Sequence, residues 1–489
     1  MHHNLSKAVW PALIAVFVAL VSRSAGQQPL GRPLPPIGDA RYQALEQRLD
    51  AYESELQWLR SELQQRHLTQ SYPAAANLAA EAGASEPKEI PIQTKPSHKF
   101  RGRLFLDHIM MSDLENAAAV FPEDNFTGFD TIRLGVTGNI FENLAYTAEF
   151  EFEGGEVDYK DIYAQFENLP WLGNLKIGHY KEPFGLEELV SSRFDTFMEQ
   201  SVATINYAPT RNVGITAFND VRENENLTWF LGVFRGGFHD NATGRGADGV
   251  AGSGDANDTA VTGRLVWLPY YDEATPGRCL FHVGTAASSR RVGNDPDEGG
   301  NGQLEGFLEL DSRDGPIDTF LPAGTEFNLF GTELAWVRGP FHIVNEFFFL
   351  DARVAGANVD PWGTYIEIGY FLTGENRGYN RSAKAFDRVK PYEDFFAVRT
   401  ADGVCRGWGA WQVVSRWSYS DLTDTGLAIG GGDARGRQQN LQFGVNWYLN
   451  PYCRVMCDYV HSISDVTSGA LALGEYEGDH LGMRFQVDW

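Results

Sequence analysis

The residues of this 489-residue chain best suited to chemistry are cations: Arg133, Lys176, Arg264 and Arg416 on alternating segments, and Lys181, Arg193 and Arg211 in segment 181–212. Guanidinium and ammonium groups form charge-assisted hydrogen bonds with carboxylate and phosphate oxygens, so what they offer is recognition of anions. Side chains alternate between the two faces of a strand. On that rule Arg133 opposes Ile132 and Leu134, Lys176 opposes Leu175 and Ile177, Arg264 opposes Leu265 and Trp267, and Arg416 opposes Trp417. Each base would then point away from an apolar wall. Each could equally be a structural residue paired with a wall carboxylate. Acids are also abundant: Glu149, Glu151 and Glu153 share one alternating face. Lys181, Arg193 and Arg211 in segment 181–212 stand against Glu182, Glu187, Glu188, Asp195 and Glu199.

Groups that make and break bonds are not assembled by any pattern. No nucleophile–base set, phosphate loop or dinucleotide motif is present, so neither an enzyme nor a bound cofactor is expected. Cys453 and Cys457 lie four apart on one strand face, about 13 Å apart and too far to bridge each other. They could pair with Cys279 or Cys405 across a neighbouring strand, or remain free. His179, His282, His342 and His461 occur singly. Asp240, Asp248, Asp255 and Asp258 lack the spacing of a calcium loop, so no metal site is expected.

Something must hold those cations in place, and composition narrows the choice. Forty basic residues against 65 acidic ones give a net charge of −25, which argues against nucleic acid as a partner. Beyond the first 25 residues no apolar run approaches the length of a membrane helix. A membrane could therefore be crossed only by strands.

From residue 99 the dominant period is two. In Leu144–Glu153 one face carries Leu144, Tyr146, Ala148, Phe150 and Phe152, and the other carries Thr147 and the three glutamates. Similar runs recur at 131–139, 159–166, 227–235, 261–268, 279–286, 329–337, 341–350, 364–372, 408–419, 440–449 and 481–489. Some are joined by tight turns such as Arg338-Gly339-Pro340 and Asn450-Pro451. Others are separated by long polar stretches at 238–259 and 290–318. Short turns at one end and long loops at the other are the pattern of a transmembrane β-barrel. Residues 99–489, at roughly 24 per strand with its connection, predict an all-β antiparallel barrel of about 16 strands. Trp and Tyr cluster at run ends, where interfacial girdles would lie. The last run alternates Leu481, Met483, Phe485, Val487 and Trp489, finishing on an aromatic as bacterial outer-membrane barrels do.

Three segments precede the barrel. Residues 1–26 read as a signal peptide, with Lys7 before an apolar core and the small residues Ser24-Ala25-Gly26. Residues 27–65 hold a Pro-rich start and a heptad seam: Tyr42, Leu45, Leu49, Tyr52, Leu56, Leu59 and Leu63. So narrow a stripe predicts a short coiled-coil helix that oligomerises. Residues 66–98 read as a flexible linker.

Several ordered motifs resemble the phosphate-selective porin O and P family. They include Arg133-Leu134-Gly135-Val136-Thr137-Gly138, Lys160-Asp161-Ile162-Tyr163, the run Lys176–Glu187, Phe197-Met198-Glu199 and Arg211-Asn212-Val213-Gly214. Later pieces follow in order, among them Phe371–Asn376, Gly407–Trp411 and Gly444–Tyr448. The resemblance implies a homotrimeric outer-membrane channel for small hydrophilic solutes, with phosphate or polyphosphate anions as one solute class. It also implies that 181–212 folds inward as a constriction loop, and that lipid, small ions and solutes are the partners; the N-terminal stalk, which lies outside the resemblance, is expected in the periplasm. The alternatives are a general or cation-preferring diffusion porin on the same fold, or a structural barrel that tethers the envelope.

Overall fold

The computed structural model describes residues 96–489. It leaves out 112–124, 220–225, 236–258 and 293–302, and shorter pieces at 156, 276, 308, 311–313, 323, 401–402, 430–433 and 470–472. The signal peptide, the coiled-coil stalk and nearly all of the linker expected from the sequence lie outside the described residues, as do the acidic loop residues of 238–258.

Sixteen strands form one antiparallel sheet closed on itself. In chain order they are β1 Ser97–Met111, β2 Phe126–Phe141, β3 Leu144–Glu151, β4 Asp158–Leu169, β5 Gly173–Lys181, β6 Arg211–Phe218, β7 Leu227–Arg235 and β8 Thr259–Tyr271. There follow β9 Cys279–Arg291, β10 Glu326–Arg338, β11 Phe341–Val354, β12 Trp362–Phe371, β13 Ala410–Leu422, β14 Ala434–Asn450, β15 Cys453–Gly469 and β16 Gly474–Asp488. A short strand, Ala357–Val359, pairs back onto β11. Neighbours in sequence are neighbours in the wall, and β1 pairs with β16 to close it. Trp489 completes the seam by exchanging backbone hydrogen bonds with Gly102 at 3.0 and 3.1 Å. The indole lies where a Gly102 side chain would have to go, since an added Cβ would meet it at 2.2 Å.

Lipid inverts the usual rule of an apolar inside. Arg416, Glu346, Gln442 and Ser462 on the inner face are buried, whereas Leu134, Ile215, Leu231, Phe443 and Phe485 on the outer face are exposed. With no water in the bilayer core, the wall amides pair strand to strand around the closed ladder, and the apolar face meets the acyl chains. Aromatic contacts mark both ends: Trp411 stacks on Trp447 at 5.0 Å near the short turns, and Trp362 packs on Tyr419 at 5.0 Å near the opposite rim.

Two details depart from the sequence reading. The strand expected over Leu144–Glu153 ends at Glu151, because Gly154 and Gly155 turn the chain at φ of +77° and +81°. Glu149 and Glu151 face inward, but Glu153 sits exposed in a 3-10 turn and adds no charge to the lumen face. The short-turn end also carries one long connection, 372–409, which folds into two small hairpins, Gly378–Asn380/Ala385–Asp387 and Phe396–Thr400/Gly403–Gly407.

Candidate functional site: the lumen constriction

Between β5 and β6 the chain leaves the wall and crosses the barrel, as the sequence reading expected of 181–212. Gly185, at φ +76°, reverses direction just before a single helical turn, α1 (Leu186–Leu189); a second short helix, α2 (Val202–Tyr207), follows. A positive φ is readily adopted only without a Cβ, which is why glycine stands there.

Carboxylates and amides of the far wall take up the loop's backbone groups. Glu346 on β11 accepts from the Leu186 and Glu187 amides at 2.5 and 2.8 Å. Asp458 on β15 accepts from the Met198 amide at 2.7 Å. Arg484, Arg454 and Gln486 donate to the carbonyls of Met198, Asp195 and Arg193 at 2.9, 2.6 and 2.9 Å. Phe184 and Tyr207 stack on either side of Phe348, with centroids 6.1 and 6.4 Å away. A loop with this many partners on β11–β16 is a fixed part of the wall.

Two further segments enter the lumen. From the long-loop end, the hairpin Gln303–Phe307/Asp314–Phe320 delivers Glu309, which accepts from the Val202 amide at 2.5 Å and from Ser418. From the short-turn end, Arg377 of the 372–409 connection reaches Glu367 at 2.5 Å, and the Tyr379 hydroxyl meets His282 at 2.8 Å. Arg388 of the same connection is ion-paired with Asp488. The hairpin strand Ala385–Asp387 lies against α1, so the inserts from opposite ends meet inside the barrel.

Six of the seven cations singled out from sequence are held by carboxylates. Arg264 grips Glu333 with two arms at 2.8 and 2.6 Å. Arg416 binds Glu187 at 2.7 Å and Glu309 at 3.1 Å. Arg133 binds Glu151 at 2.8 Å and Glu149 at 3.4 Å, and Arg211 binds Asp161 at 2.9 Å. Lys181 meets Glu188 at 3.2 Å and donates to the Glu188 and Val190 carbonyls. Arg193 is 3.7 Å from Asp488. Lys176 differs. Its ammonium lies over the rings of Tyr163 and Tyr180, 4.5 and 5.1 Å from their centroids, and among the described residues no carboxylate is within ion-pair distance.

Lys176 borders the space that the inserts leave open. This cavity of about 360 Å³ lies against β4–β8 and is lined by Asp161, Tyr163, Gln165, Lys176, Tyr180 and Lys181 from the wall, with Thr216, Phe218, Phe230 and Arg264 beyond them. Pro183 and Leu189 of the constriction loop close one side, and Asn380, Ser382 and Ala383 of the lower hairpin close another. Sequence alternation found the bases and, in Glu149, Glu151, Glu187 and Glu188, several of the acids that hold them, but not which acid meets which base; Glu309 and the inward path of 372–409 carry no local signal. Of the histidines, His282 and His342 are buried on the inner face. Cys279, Cys453 and Cys457 are free.

A family model described as phosphate-selective porin O and P matches residues 108–489. The chain belongs to that family. It is 25% identical over 382 residues to porin O of Pseudomonas aeruginosa, covering 73% of this chain and 80% of that protein. It is 28% identical over 415 residues to an uncharacterized protein of Caulobacter vibrioides, covering 81% and 78%. Among solved structures it resembles the anion-selective porin of Comamonas acidovorans, at 10% identity and TM-score 0.48, covering 80% of this chain and all of that one. It also resembles the outer-membrane channel DcaP of Acinetobacter baumannii, at 10% identity and TM-score 0.48, covering 81% and 98%. This member of the family is thus an outer-membrane porin, a wet passage for small hydrophilic solutes whose selectivity rests on the width and charge of its lumen.

Proposed function

We propose that this porin passes small anions down their gradient and that Lys176 is the charge that favours them. The supporting observation is the contrast at the constriction: the other candidate cations are paired with nearby carboxylates, and Lys176 borders the cavity packed on the rings of Tyr163 and Tyr180, with no carboxylate of the described residues within ion-pair distance. A pore's charge preference follows its uncompensated groups, because a paired guanidinium presents little net field to a passing ion. Phosphate, the solute that names the family, is one member of the class. The channel works as a homotrimer, with the heptad segment of 27–65 as a periplasmic stalk, and performs no covalent chemistry. Purified protein in a planar bilayer under a KCl gradient tests this reading: the reversal potential is expected on the anion side, and a cation-side potential would replace it with a cation-preferring porin.

A further inference from the structure

We infer that the constriction is built for small organic monoanions that carry a flat apolar body, such as aromatic carboxylates, in preference to inorganic phosphate. This inference rests on the anion-porin reading and adds the class of solute.

A phosphate dianion offers several oxygens and needs converging donors to replace its water. The cavity has few to give. Nε and Nη2 of Arg264 are spent on Glu333, and Nη2 also donates to the Lys384 carbonyl at 3.0 Å, which leaves only the buried Nη1 without a partner among the described residues. Lys181 is occupied by Glu188 and two carbonyls. The Tyr180 hydroxyl donates to Thr216 at 2.9 Å. What faces the opening is one uncompensated ammonium, on Lys176, and one carboxylate, Asp161, whose charge Arg211 shares. A single positive charge beside an acid suits a monoanion better than a dianion.

Gln165, Thr216, Asn380 and Ser382 add neutral polar groups to the lining, and the remainder is apolar or aromatic. Phe218 and Phe230 stack with centroids 5.4 Å apart and an interplanar angle of 27°, and they present one continuous ring surface on β6 and β7. Leu189 and Pro183 lie on the loop side, with Tyr163 and Tyr180 beside Lys176. Such surface returns nothing to a fully hydrated phosphate. A benzoate-like solute would set its carboxylate at Lys176 and shed apolar surface from water against Phe230 and Leu189. A cavity of about 360 Å³ lies in the range of small-ligand pockets and exceeds what one phosphate fills.

The test uses the purified full chain in a planar bilayer carrying chloride current at pH 7, with benzoate, acetate and phosphate added in turn. Benzoate is expected to reduce the current at a concentration at least tenfold lower than acetate or phosphate. Lys176→Gln should abolish the block by all three. Phe230→Thr and, independently, Leu189→Ser should raise the benzoate concentration severalfold while leaving the acetate effect in place. Phosphate block at or below the benzoate concentration overturns this inference alone, as does a benzoate block no stronger than that by acetate. A cation-borne current overturns the anion reading and this inference with it.

Discussion

Two parts of the same barrel use the same residue types to opposite ends. Along β11–β16 the inward bases and acids are buried and locked to the constriction loop and to the hairpin that delivers Glu309; Arg416, Glu187 and Glu309 form one such lattice. Along β4–β8 part of the inward face borders the cavity, and Lys176 has no carboxylate partner among the described residues. The difference teaches that an inward-facing cation is evidence of selectivity only when no carboxylate has claimed it. Burial adds to the contrast. An ion pair enclosed on all sides costs several kcal/mol when one partner is removed, while a half-exposed cation costs little.

The largest expected effect comes from breaking the closed side. Arg416→Ala leaves Glu187 and Glu309 buried without their guanidinium and should cost about 3–5 kcal/mol. It should appear as a lower unfolding temperature and as noisy, enlarged single-channel currents, because the constriction loop loses its tie at Glu199 as well. Unchanged currents and stability would mean that the lattice does not hold the loop.

On the open side the reverse pattern is expected. Lys176→Glu should alter stability by no more than about 0.5 kcal/mol, in the range of surface substitutions. Its anion-over-cation permeability ratio should fall about tenfold, equivalent to ~1.4 kcal/mol, read from the reversal potential. Equal loss of stability in Lys176→Glu and Arg416→Ala would erase the distinction between the two sides.

Asp161 tests the boundary between them. Asp161→Asn removes the carboxylate that Arg211 binds at 2.9 Å and that lies 4.0 Å from Arg101, whose nearer partner is Glu149 at 2.9 Å. Anion preference should then rise by a few-fold. No rise would mean that Arg211 finds another acid.

The smallest effect is on pH. Asp195 and Glu199 belong to the inserted loop, and burial pushes their carboxyl groups up to about 7 and about 8, with Asp130 adding to the shift of Glu199. Both folded values lie above those of free carboxylic acids, so the protonated forms favour the folded loop. That contribution is complete below about pH 4 and is lost as the pH rises through 7 to 8. Between pH 8 and 6 the loop therefore sheds negative charge, and anion preference should increase by less than about twofold. The double variant Asp195→Asn/Glu199→Gln should show a flat profile over that range.

Much of the wall was legible from sequence because its cause is local. A strand between lipid and water must alternate, so Leu227–Arg235 and Phe341–Val354 announce both their structure and their two faces. The inward turn at Gly185 was legible only through family resemblance, since nothing in the composition of 181–212 says that it enters the lumen.

By itself the sequence determined that the chain is a strand-built barrel, about how many strands it needs, and which bases point inward, because period-two patterning follows from the geometry of one strand. Only the tertiary structure decided which of those bases have a carboxylate partner. Glu333 and Arg264 are 69 residues apart, and Glu187 and Arg416 are 229 apart. Arg264 and Glu333 meet across Gly284 of the intervening strand β9, and Glu187 reaches Arg416 because the constriction loop crosses the lumen. Lys176 instead borders a cavity that the constriction loop and the lower hairpin bound without filling. Coulomb attraction acts over a few ångströms, and no sequence spacing encodes that distance.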